Sequence, residues 1–176
     1  MTKISQKDNP CLRQKATPIK PTAIGRPALN KIIKEMREAL AGEADGVALA
    51  APQIGVSLRL FIVSGKIFPQ TGGQSGEDLV FINPVITKLS KKKSEVDEGC
   101  LSIRFIYGRL RRAEKATIAA WDETGRKFTW NGSGLLAQIF QHETDHLDGI
   151  LFTDRAKDLK EINPDDLPTK ENGPLI

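Results

Sequence analysis

One predicted helix, with both of the chain's histidines on its apolar side, constrains the fold more than any other feature of the sequence. His142 and His146 are the only two histidines among 176 residues, and Glu143 follows the first of them in the run HETDH. Residues four apart lie on one face of an α-helix, about 6 Å from each other. Two adjoining stripes combine these residues with apolar side chains: Leu135, Ile139, His142 and His146 in one, and Leu136, Phe140, Glu143 and Leu147 in the other. Because both stripes have the pattern of buried faces, the helix is predicted to lie inside the core of the domain.

A metal ion accounts for these three residues better than a solvated helix does. Burying a glutamate and two histidines without partners would cost several kcal/mol, whereas a divalent cation supplies the compensating interaction. The H-E-x-x-H spacing lets both imidazoles reach one cation, while Glu143 is offset from His142 by about 100° and stays free for proton transfer. The motif leaves the third protein ligand open. Since the sequence has no further histidine, the candidates are carboxylates and Cys100.

The segment around Cys100 has the alternation of a strand with one functional face. Glu98, Cys100 and Ser102 fall on the same face if residues 94–102 are extended. Gly99 between them would let another backbone or a ligand come close. A buried structural thiol is the alternative for Cys100. Both cysteines of the chain are predicted to be free thiols, as expected in a reducing cytoplasm.

Two helices and five strands are predicted from the periodicity of the apolar residues. Apolar residues at three- and four-residue spacing predict a helix that begins near Pro27 and ends at Gly42. In the helix with the histidines, Ser133 is the predicted N-cap and Gly149 ends the helix. Short apolar and β-branched runs predict the strands at residues 60–63, 79–86, 94–102, 116–121 and 127–130, with a hairpin turn at 123–125 between the last two.

This order of elements is typical of a single α+β domain, with partly antiparallel β-sheets packed around the central H-E-x-x-H helix. The domain is predicted to include the whole chain, residues 1–176. Residues 1–27 contain four prolines and are predicted to run in an extended form over the domain. Trp121 and Trp130 are assigned to the core. The charged tail, residues 157–176, is predicted to be a short helix that fades into disorder.

Composition and charge exclude several classes of protein. With 39% hydrophobic and 27% charged residues the chain is globular, and no apolar run approaches the roughly 20 residues that cross a bilayer. The amino terminus lacks the apolar region of a secretory signal, which favours a cytoplasmic protein. A net charge of +4 is weak evidence for nucleic-acid binding. The chain has dense basic clusters at Lys91–Lys93, Arg109, Arg111 and Arg112. They are interpreted as part of a solvated loop or an edge strand.

Three segments taken together resemble the three signature motifs of the peptide deformylase family. They are residues 46–53 (GVALAAPQ), 98–102 (EGCLS) and 141–147 (QHETDHL), in this order along the chain. The resemblance extends from the first helix through Asp154 and Arg155. It implies an α+β metalloenzyme that removes the formyl group from the N-terminal formylmethionine of nascent polypeptides. It also implies one divalent metal ion per chain, natively Fe(II), with Zn, Ni or Co as alternatives.

The resemblance assigns roles around the metal. Cys100, His142 and His146 are implied to be the metal ligands, with water in the fourth position. A metal-bound hydroxide would attack the formyl carbon, with Glu143 as general base and then general acid.

The remaining implied roles concern the substrate. The side-chain amide of Gln53 and the backbone N–H of Leu101 would bind the oxyanion. Arg112 is implied to neutralise Glu98, with a surface salt bridge as the alternative. The implied partners are N-formylmethionyl peptides and, through the basic charge, a weak association with the ribosome, but no membrane and no specific nucleic acid. The residues implied to line the substrate groove are Val47, Ala48, Leu49, Glu98, Gly99, Leu135 and Ile139. For Leu135, Ile139 and the stem of Glu98, a place in the core is the alternative.

Two departures from the family pattern fall in the substrate groove. Ala48 stands where the family usually has glycine, and its methyl group is expected to narrow the groove. Arg104 and Phe105 stand where the family usually has Pro-Gly. Arg104 is expected to add positive potential to the wall of the groove and so to favour acidic residues after the methionine.

The sequence leaves two alternative functions open. A metalloprotease that cleaves other amides would share the H-E-x-x-H helix, but Gln53 and Cys100 argue against it. A deformylase-like binding module, catalytically silent or with an altered substrate, is the second alternative. Glu143 argues against a silent module, because a purely structural metal site has no use for an unliganded buried carboxylate.

Overall fold

Eight strands and two helices form the described part of the structure, residues 2–68 and 76–163 of a computed structural model. The larger sheet has five strands: β1 (Ala48–Ala50), β2 (Leu60–Val63), β3 (Leu79–Leu89), β6 (Lys115–Trp121) and β7 (Lys127–Ser133). Their order in the sheet is β1-β2-β3-β6-β7, and neighbouring strands pair antiparallel. Strand β1 therefore lies at one edge of this sheet.

The smaller sheet carries Cys100 at the end of a strand. It consists of β4 (Lys93–Cys100), β5 (Ile103–Ala113) and β8 (Lys157–Glu161). The central strand β5 pairs antiparallel with both neighbours. The register between β4 and β5 shifts between Glu98 and Cys100, and the chain turns back directly after the cysteine.

Helix α1 (Pro27–Ala41) confirms the first predicted helix. Pro27 occupies the first turn, where a missing N–H breaks no helical hydrogen bond, and Gly42 is the C-cap. The helix buries its apolar stripe, which consists of Leu29, Ile33, Met36, Ala39 and Leu40. This stripe packs on one side of the larger sheet, against the buried residues Leu49, Leu60, Ile62, Val80 and Ile82.

Helix α2 (Leu135–Leu147), which carries the two histidines, packs on the opposite side of the larger sheet. The ring centroid of Phe140 lies 5.4 Å from that of Phe81, which stacks on Phe61 with centroids 4.6 Å apart. Strand residues that face α2 alternate with those that face α1, as expected for extended chain; on the α2 side they are Ala48, Ala50, Phe61, Val63 and Phe81.

Two glutamines of α2 join the helix to the smaller sheet. The side chain of Gln141 accepts from the N–H of Ala113 and donates to its carbonyl, both at 3.0 Å. Gln138 Nε2 donates to the carbonyl of Asp97 at 3.0 Å. The helix thus touches both sheets. The predicted single α+β domain with antiparallel sheets is confirmed.

The N-terminal boundary of α2 differs from the prediction. Ser133 is the last residue of β7, where it pairs with Lys115, and it does not cap the helix. Gly134 is the N-cap, with φ of 56° and no side-chain hydrogen bond. A positive φ lets the chain pass from strand to helix at one residue, which only glycine does without strain. At the other end Gly149 follows the helix with φ of 74°, as predicted.

The strand predictions missed β1, β5 and β8. Strand β1 is too short for periodicity to reveal it. In β5 four arginines interrupt the apolar pattern, and the sequence predicts a solvated loop or an edge strand there, whereas β5 is the central strand of its sheet. The tail was predicted to be helical, but residues Lys157–Glu161 form β8, because they complete the ladder of β5. Residues 164–176 of the predicted tail lie outside the described residues.

Both tryptophans are half-buried at the margin of the core. The prediction that they lie inside the core is wrong. Trp130 packs on Phe68 with ring centroids 5.6 Å apart. Lys127 places its Nζ 4.7 Å from the ring centroid of Trp121. Partial burial of this kind is common for tryptophan, which is rarely buried completely.

Residues 2–26 run along the domain with 3₁₀ turns at Pro10–Arg13 and Pro21–Ala23. Leu12 is fully buried, and the N–H of Ala16 donates to the carbonyl of Leu147 at 2.9 Å, which ties this segment to the end of α2. Both cysteines are free thiols, as predicted. None of the described helices is long and apolar enough to span a membrane.

Phe105 has a left-handed backbone at a position where the family usually has glycine. Its φ is 65°, a conformation that costs a residue with a Cβ atom about 1 kcal/mol. We expect Phe105→Gly to be more stable than Phe105→Ala by about that amount, because both variants lose the ring and only glycine relieves the backbone. Urea unfolding of the two variants measures the difference. Equal stability would show that the left-handed conformation is not retained in solution.

Candidate active site

A thiol and two imidazoles converge between the smaller sheet and α2. The ligand atoms of Cys100, His142 and His146 lie within 4.8 Å of one another, and all three residues are buried. Cys100 Sγ is 3.2 Å from His146 Nε2. The two imidazole centroids are 4.9 Å apart with the rings nearly perpendicular, as expected for one helix face.

These three side chains fit a metal ion. His142 Nε2 and His146 Nδ1 are buried and have no hydrogen-bond partner among residues 2–68 and 76–163. An unpartnered buried nitrogen is costly, and a cation bound by His142 Nε2 would remove that cost at this atom. On His146, Nε2 is the nitrogen that lies beside the thiol. A donor set of one sulfur and two imidazole nitrogens suits first-row transition metals and disfavours Mg²⁺ and Ca²⁺. The site can therefore hold one such ion.

A buried charged network orients His142. Its Nδ1 is 2.9 Å from Glu98 Oε2, which leaves Nε2 for a ligand. Arg112 binds Glu98 with two hydrogen bonds, Nε to Oε1 at 2.7 Å and the second guanidinium nitrogen to Oε2 at 3.0 Å. Arg112 also donates to Asp145 Oδ2 at 2.7 Å. Burial alone would raise the pKa of Glu98, but the hydrogen bonds and charges of His142 and Arg112 lower it to about 2.

Arg112 is thus buried, contrary to the interpretation of its cluster as a solvated loop or an edge strand. It lies on the inward face of β5, which is the central strand of its sheet. Arg109 and Arg111 alternate with it and are exposed, as predicted. The implied ion pair with Glu98 exists and lies inside the protein, because the carboxylate beside His142 needs a compensating charge there.

Glu143 is a buried carboxylate with a free oxygen. The residue is 1% exposed, and its Oε2 has no hydrogen-bond partner in the described chain. Burial raises the pKa of Glu143 to about 7, a shift that His142 opposes and Glu98 increases. A carboxyl group with a pKa near neutrality can both accept and return a proton.

Gln53 aims its amide nitrogen at the cysteine. It lies in a 3₁₀ turn, Ala51–Ile54, that follows β1. Its Oε1 accepts from the N–H of Ala50 at 2.7 Å, which fixes the orientation of the amide. Nε2 then contacts Ser102 Oγ at 3.3 Å and Cys100 Sγ at 3.6 Å. A neutral donor is thereby held beside the thiol.

The comparisons with known proteins agree with this geometry. The sequence model of the polypeptide deformylase family matches residues 1–161. The chain belongs to the peptide deformylase family. It is 38% identical over 155 residues to peptide deformylase 2 of Clostridium acetobutylicum, covering 88% of this chain and 94% of that protein. It is 41% identical over 167 residues to the peptide deformylase of Dehalococcoides mccartyi, with 93% of each covered.

A solved deformylase has the same fold. The structure of peptide deformylase from Thermotoga maritima matches with a TM-score of 0.77 and 32% identity, over 89% of this chain and 98% of that one. Deformylases remove the formyl group from N-terminal formylmethionine, and this hydrolysis is the activity of the chain. The metal-binding triad described above fits a deformylase metal site.

The N-terminal segment of this deformylase holds two backbone groups of the site, which the sequence analysis missed. The N–H of Ser5 donates to the carbonyl of Gln53 at 2.7 Å. Gln6 Nε2 donates to the carbonyl of Leu101 at 3.2 Å. The acceptors are main-chain carbonyls, which every residue has. The sequence therefore does not indicate which residues these two hydrogen bonds join.

The predicted groove residues of the deformylase lie in two places, at strand β1 and on helix α2. Val47, Ala48 and Leu49 lie at the edge strand β1 or directly before it. Leu49 points its side chain toward α1, and the carbonyl of Val47 accepts from the N–H of Ser64 at 2.8 Å. Ile139 is fully buried beside Ala48, and Leu135 is half-buried at the start of α2.

Gly99 allows a close approach, as predicted, but the group that approaches it is a side chain. A Cβ atom at this position would lie 2.5 Å from Cε1 of Tyr107, a residue that the sequence analysis did not single out. The tyrosine ring, and not a backbone or a ligand, therefore occupies the space that the glycine leaves open. Tyr107 lies on β5 opposite the β4 segment that ends in Cys100.

The two departures from the deformylase pattern have different consequences from those expected. Ala48 does not have a positive φ, and its methyl group packs in the core under α2. Arg104 is paired with Glu43 and with Asp45, at 3.1 Å from Asp45 Oδ2. Arg104 is thus not a free cation. This pairing removes the basis of the predicted preference for acidic substrates.

Proposed function

We propose that this deformylase holds one divalent cation with Cys100, His142 and His146 and uses it to hydrolyse formylmethionyl peptides. The observation that carries the proposal is the convergence of this thiol and these imidazoles beside a buried carboxylate, Glu143, whose Oε2 lacks a partner within the described residues. Fe(II) is the proposed native metal by family likeness. The same donor set also accepts Zn, Ni or Co.

Each residue around the metal is proposed to have a separate role in the reaction. When bound, the cation supplies Lewis-acid charge and lowers the pKa of water. Glu143 takes the proton of the attacking water and returns it to the leaving amine. The Gln53 amide and the N–H of Leu101 donate to the oxyanion of the tetrahedral intermediate. Glu98 acts as a positioning residue, because its hydrogen bond at 2.9 Å sets which nitrogen of His142 faces the metal.

The substrate chain is proposed to lie along the free edge of β1. An extended peptide can add to an edge strand through main-chain hydrogen bonds, here with Val47, Ala48 and Leu49. The methionine side chain would lie against Leu135, which is half-buried at the start of α2. The other predicted groove residues, Glu98, Gly99 and Ile139, are buried and would form the layer behind it.

The proposed place of action is the cytoplasm, where formylated nascent chains are made. A weak association with the ribosome is proposed from the net charge of +4, which favours contact with an anionic surface. This association would keep the enzyme near its substrates. It requires no specific recognition of nucleic acid.

Hydrolysis of a formyl-Met-Ala peptide by the anaerobically purified chain tests the proposal. Formate release with one divalent cation per chain is the expected result, with acetyl-Met-Ala and an unmodified tripeptide left intact. Cleavage of the tripeptide would instead indicate a metalloprotease. Binding of the formyl peptide without formate release would indicate a silent binding module.

Gln53→Leu is expected to lower kcat by about 10²-fold, the usual cost of one oxyanion donor. Leucine keeps the volume of the side chain but removes the Nε2 group that points at the site. Ser102→Ala is the matched control, because it removes a contact of Gln53 and leaves the amide in place, so its loss should be far smaller. Steady-state formate release measures both variants. A near-normal kcat for Gln53→Leu would reject the oxyanion role.

A further inference from the structure

Arg104 joins the segment that leads into β1 to the turn after Cys100, two parts of the chain that the proposed substrate contacts. Its guanidinium pairs with Glu43 and, at 3.1 Å and 3.4 Å, with the two carboxylate oxygens of Asp45. Asp45 directly precedes Gly46, where the chain enters β1. Arg104 is the second residue of β5, just after the turn that contains Leu101.

The two segments are in close contact at this point. A Cβ atom built on Gly46 would lie 3.2 Å from Cδ1 of Leu101 and 3.1 Å from Cβ of Glu43. Along the chain, Glu43 and Asp45 precede β1 and Gln53 follows it, so the ion cluster is at the opposite end of this strand from Gln53. At about 3.3 Å per residue, an extended peptide whose formyl group is at Gln53 brings its third or fourth residue near this cluster.

The cluster carries more negative than positive charge. One guanidinium faces two carboxylates, which gives a formal charge of −1. The side chains of Arg104, Glu43 and Asp45 are 25%, 29% and 19% exposed, so their charges can interact with a charged residue of a peptide bound nearby. Coulomb interactions over about 8 Å between such partly exposed charges change binding severalfold at low salt.

We propose that Arg104 is a specificity-determining residue: by neutralising one of these two carboxylates it lets the groove accept peptides with acidic residues after the methionine. The inference rests on the proposed function, since it concerns the substrate of the same site. Without the guanidinium, Glu43 and Asp45 would repel acidic peptides and attract basic ones. The arginine thus widens the range of nascent chains that the enzyme processes.

The test compares formyl-Met-Ala-X-X-Ala peptides in which X is Glu, Gln or Lys. For the wild type, kcat/KM for the Lys peptide should exceed that for the Glu peptide by no more than about threefold at low salt. Arg104→Met should raise this ratio about tenfold further, through opposite changes in KM for the two charged peptides. The effect should disappear at high salt, because the Debye length falls to about 3 Å at 1 M.

Two further variants separate charge from structure. Arg104→Lys should restore the wild-type ratio, since it returns the cation. Glu43→Gln and Asp45→Asn, added to Arg104→Met, should bring the ratio close to one. A ratio that stays within twofold of the wild type in Arg104→Met, or equal KM changes for all three peptides, would overturn the inference.

The Gln peptide distinguishes this result from a failure of the proposed function. If the wild type releases formate from the Gln peptide and only the charge ratios are unchanged, the role of Arg104 is wrong and the function stands. If the wild type releases no formate from any of the three, the proposed function is wrong, and the inference falls with it.

Discussion

Glu143→Gln is expected to keep its metal and to lose at least about 10²-fold in kcat. General acid–base catalysis contributes roughly 10² to 10⁴ in rate, and glutamine has nearly the same shape but cannot accept a proton. The carboxylate is 1% exposed, and its pKa is raised to about 7 by burial, so it is suited to take up and return a proton. Metal analysis and steady-state formate release measure the two effects separately.

The stability of the same variant supplies a second check. The Oε2 atom of Glu143 has no hydrogen-bond partner in the part of the chain that the structure describes. Burial of an unpaired carboxylate disfavours the folded state, so the neutral glutamine should leave the metal-free protein at least as stable as the wild type. A variant that kept normal kcat would remove Glu143 from the mechanism, whatever its stability.

Cys100→Ala is expected to release the metal and abolish formate release. The thiol is one of three ligand groups that lie within 4.8 Å of one another, and two imidazoles alone hold a divalent cation weakly. Metal content of the purified protein should fall from about one ion per chain to a small fraction. In the wild type loaded with Co(II), a thiolate-to-metal charge-transfer band should appear, and the variant should lack it.

Cys11→Ala is the matched control, because Cys11 is the only other cysteine and is half-buried far along the chain from the histidines. It should keep both metal and activity. The assignment of the third ligand would be wrong if Cys100→Ala kept its metal while Glu98→Gln lost it. In that case the carboxylate, and not the thiol, would complete the site.

The charged network behind His142 explains why the ligands can stay buried without losing their orientation. Glu98 is held by Arg112 through two hydrogen bonds, and Arg112 also donates to Asp145, which in turn pairs with Arg155. A buried ion pair of this kind adds little net stability, because desolvation offsets its attraction. Its contribution is geometric. It fixes the ring of His142 so that Nε2 faces the thiol and the second histidine.

The parts of the site that depend on neighbours along the chain were predictable from the residues. The four-residue spacing of His142 and His146 sets their separation on any α-helix, whatever packs around it. Helix α1 could also be predicted, because Pro27 and Gly42 mark its ends chemically. Local geometry of this kind needs no knowledge of the rest of the fold.

The third ligand could not be derived in the same way. Cys100 is 46 residues from His146, and nothing in its own segment distinguishes a ligand from a buried thiol. The resemblance to a family supplied that assignment, since the three motifs occur together and in order. The pairing of β4 with β5 brings Glu98 and Cys100 to α2, and the turn after β1 brings Gln53 there.

The partners of the charged side chains could not be predicted from the sequence. Arg104 and Arg112 have the same side chain and lie eight residues apart on one strand, yet each has a different set of carboxylates as partners. Those carboxylates belong to distant segments, and a charge in a sequence has no periodicity that reveals its partner. Burial of Arg112 and compensation of Arg104 therefore arise from long-range packing, whereas the helix with its histidines and its glutamate follows from short-range spacing.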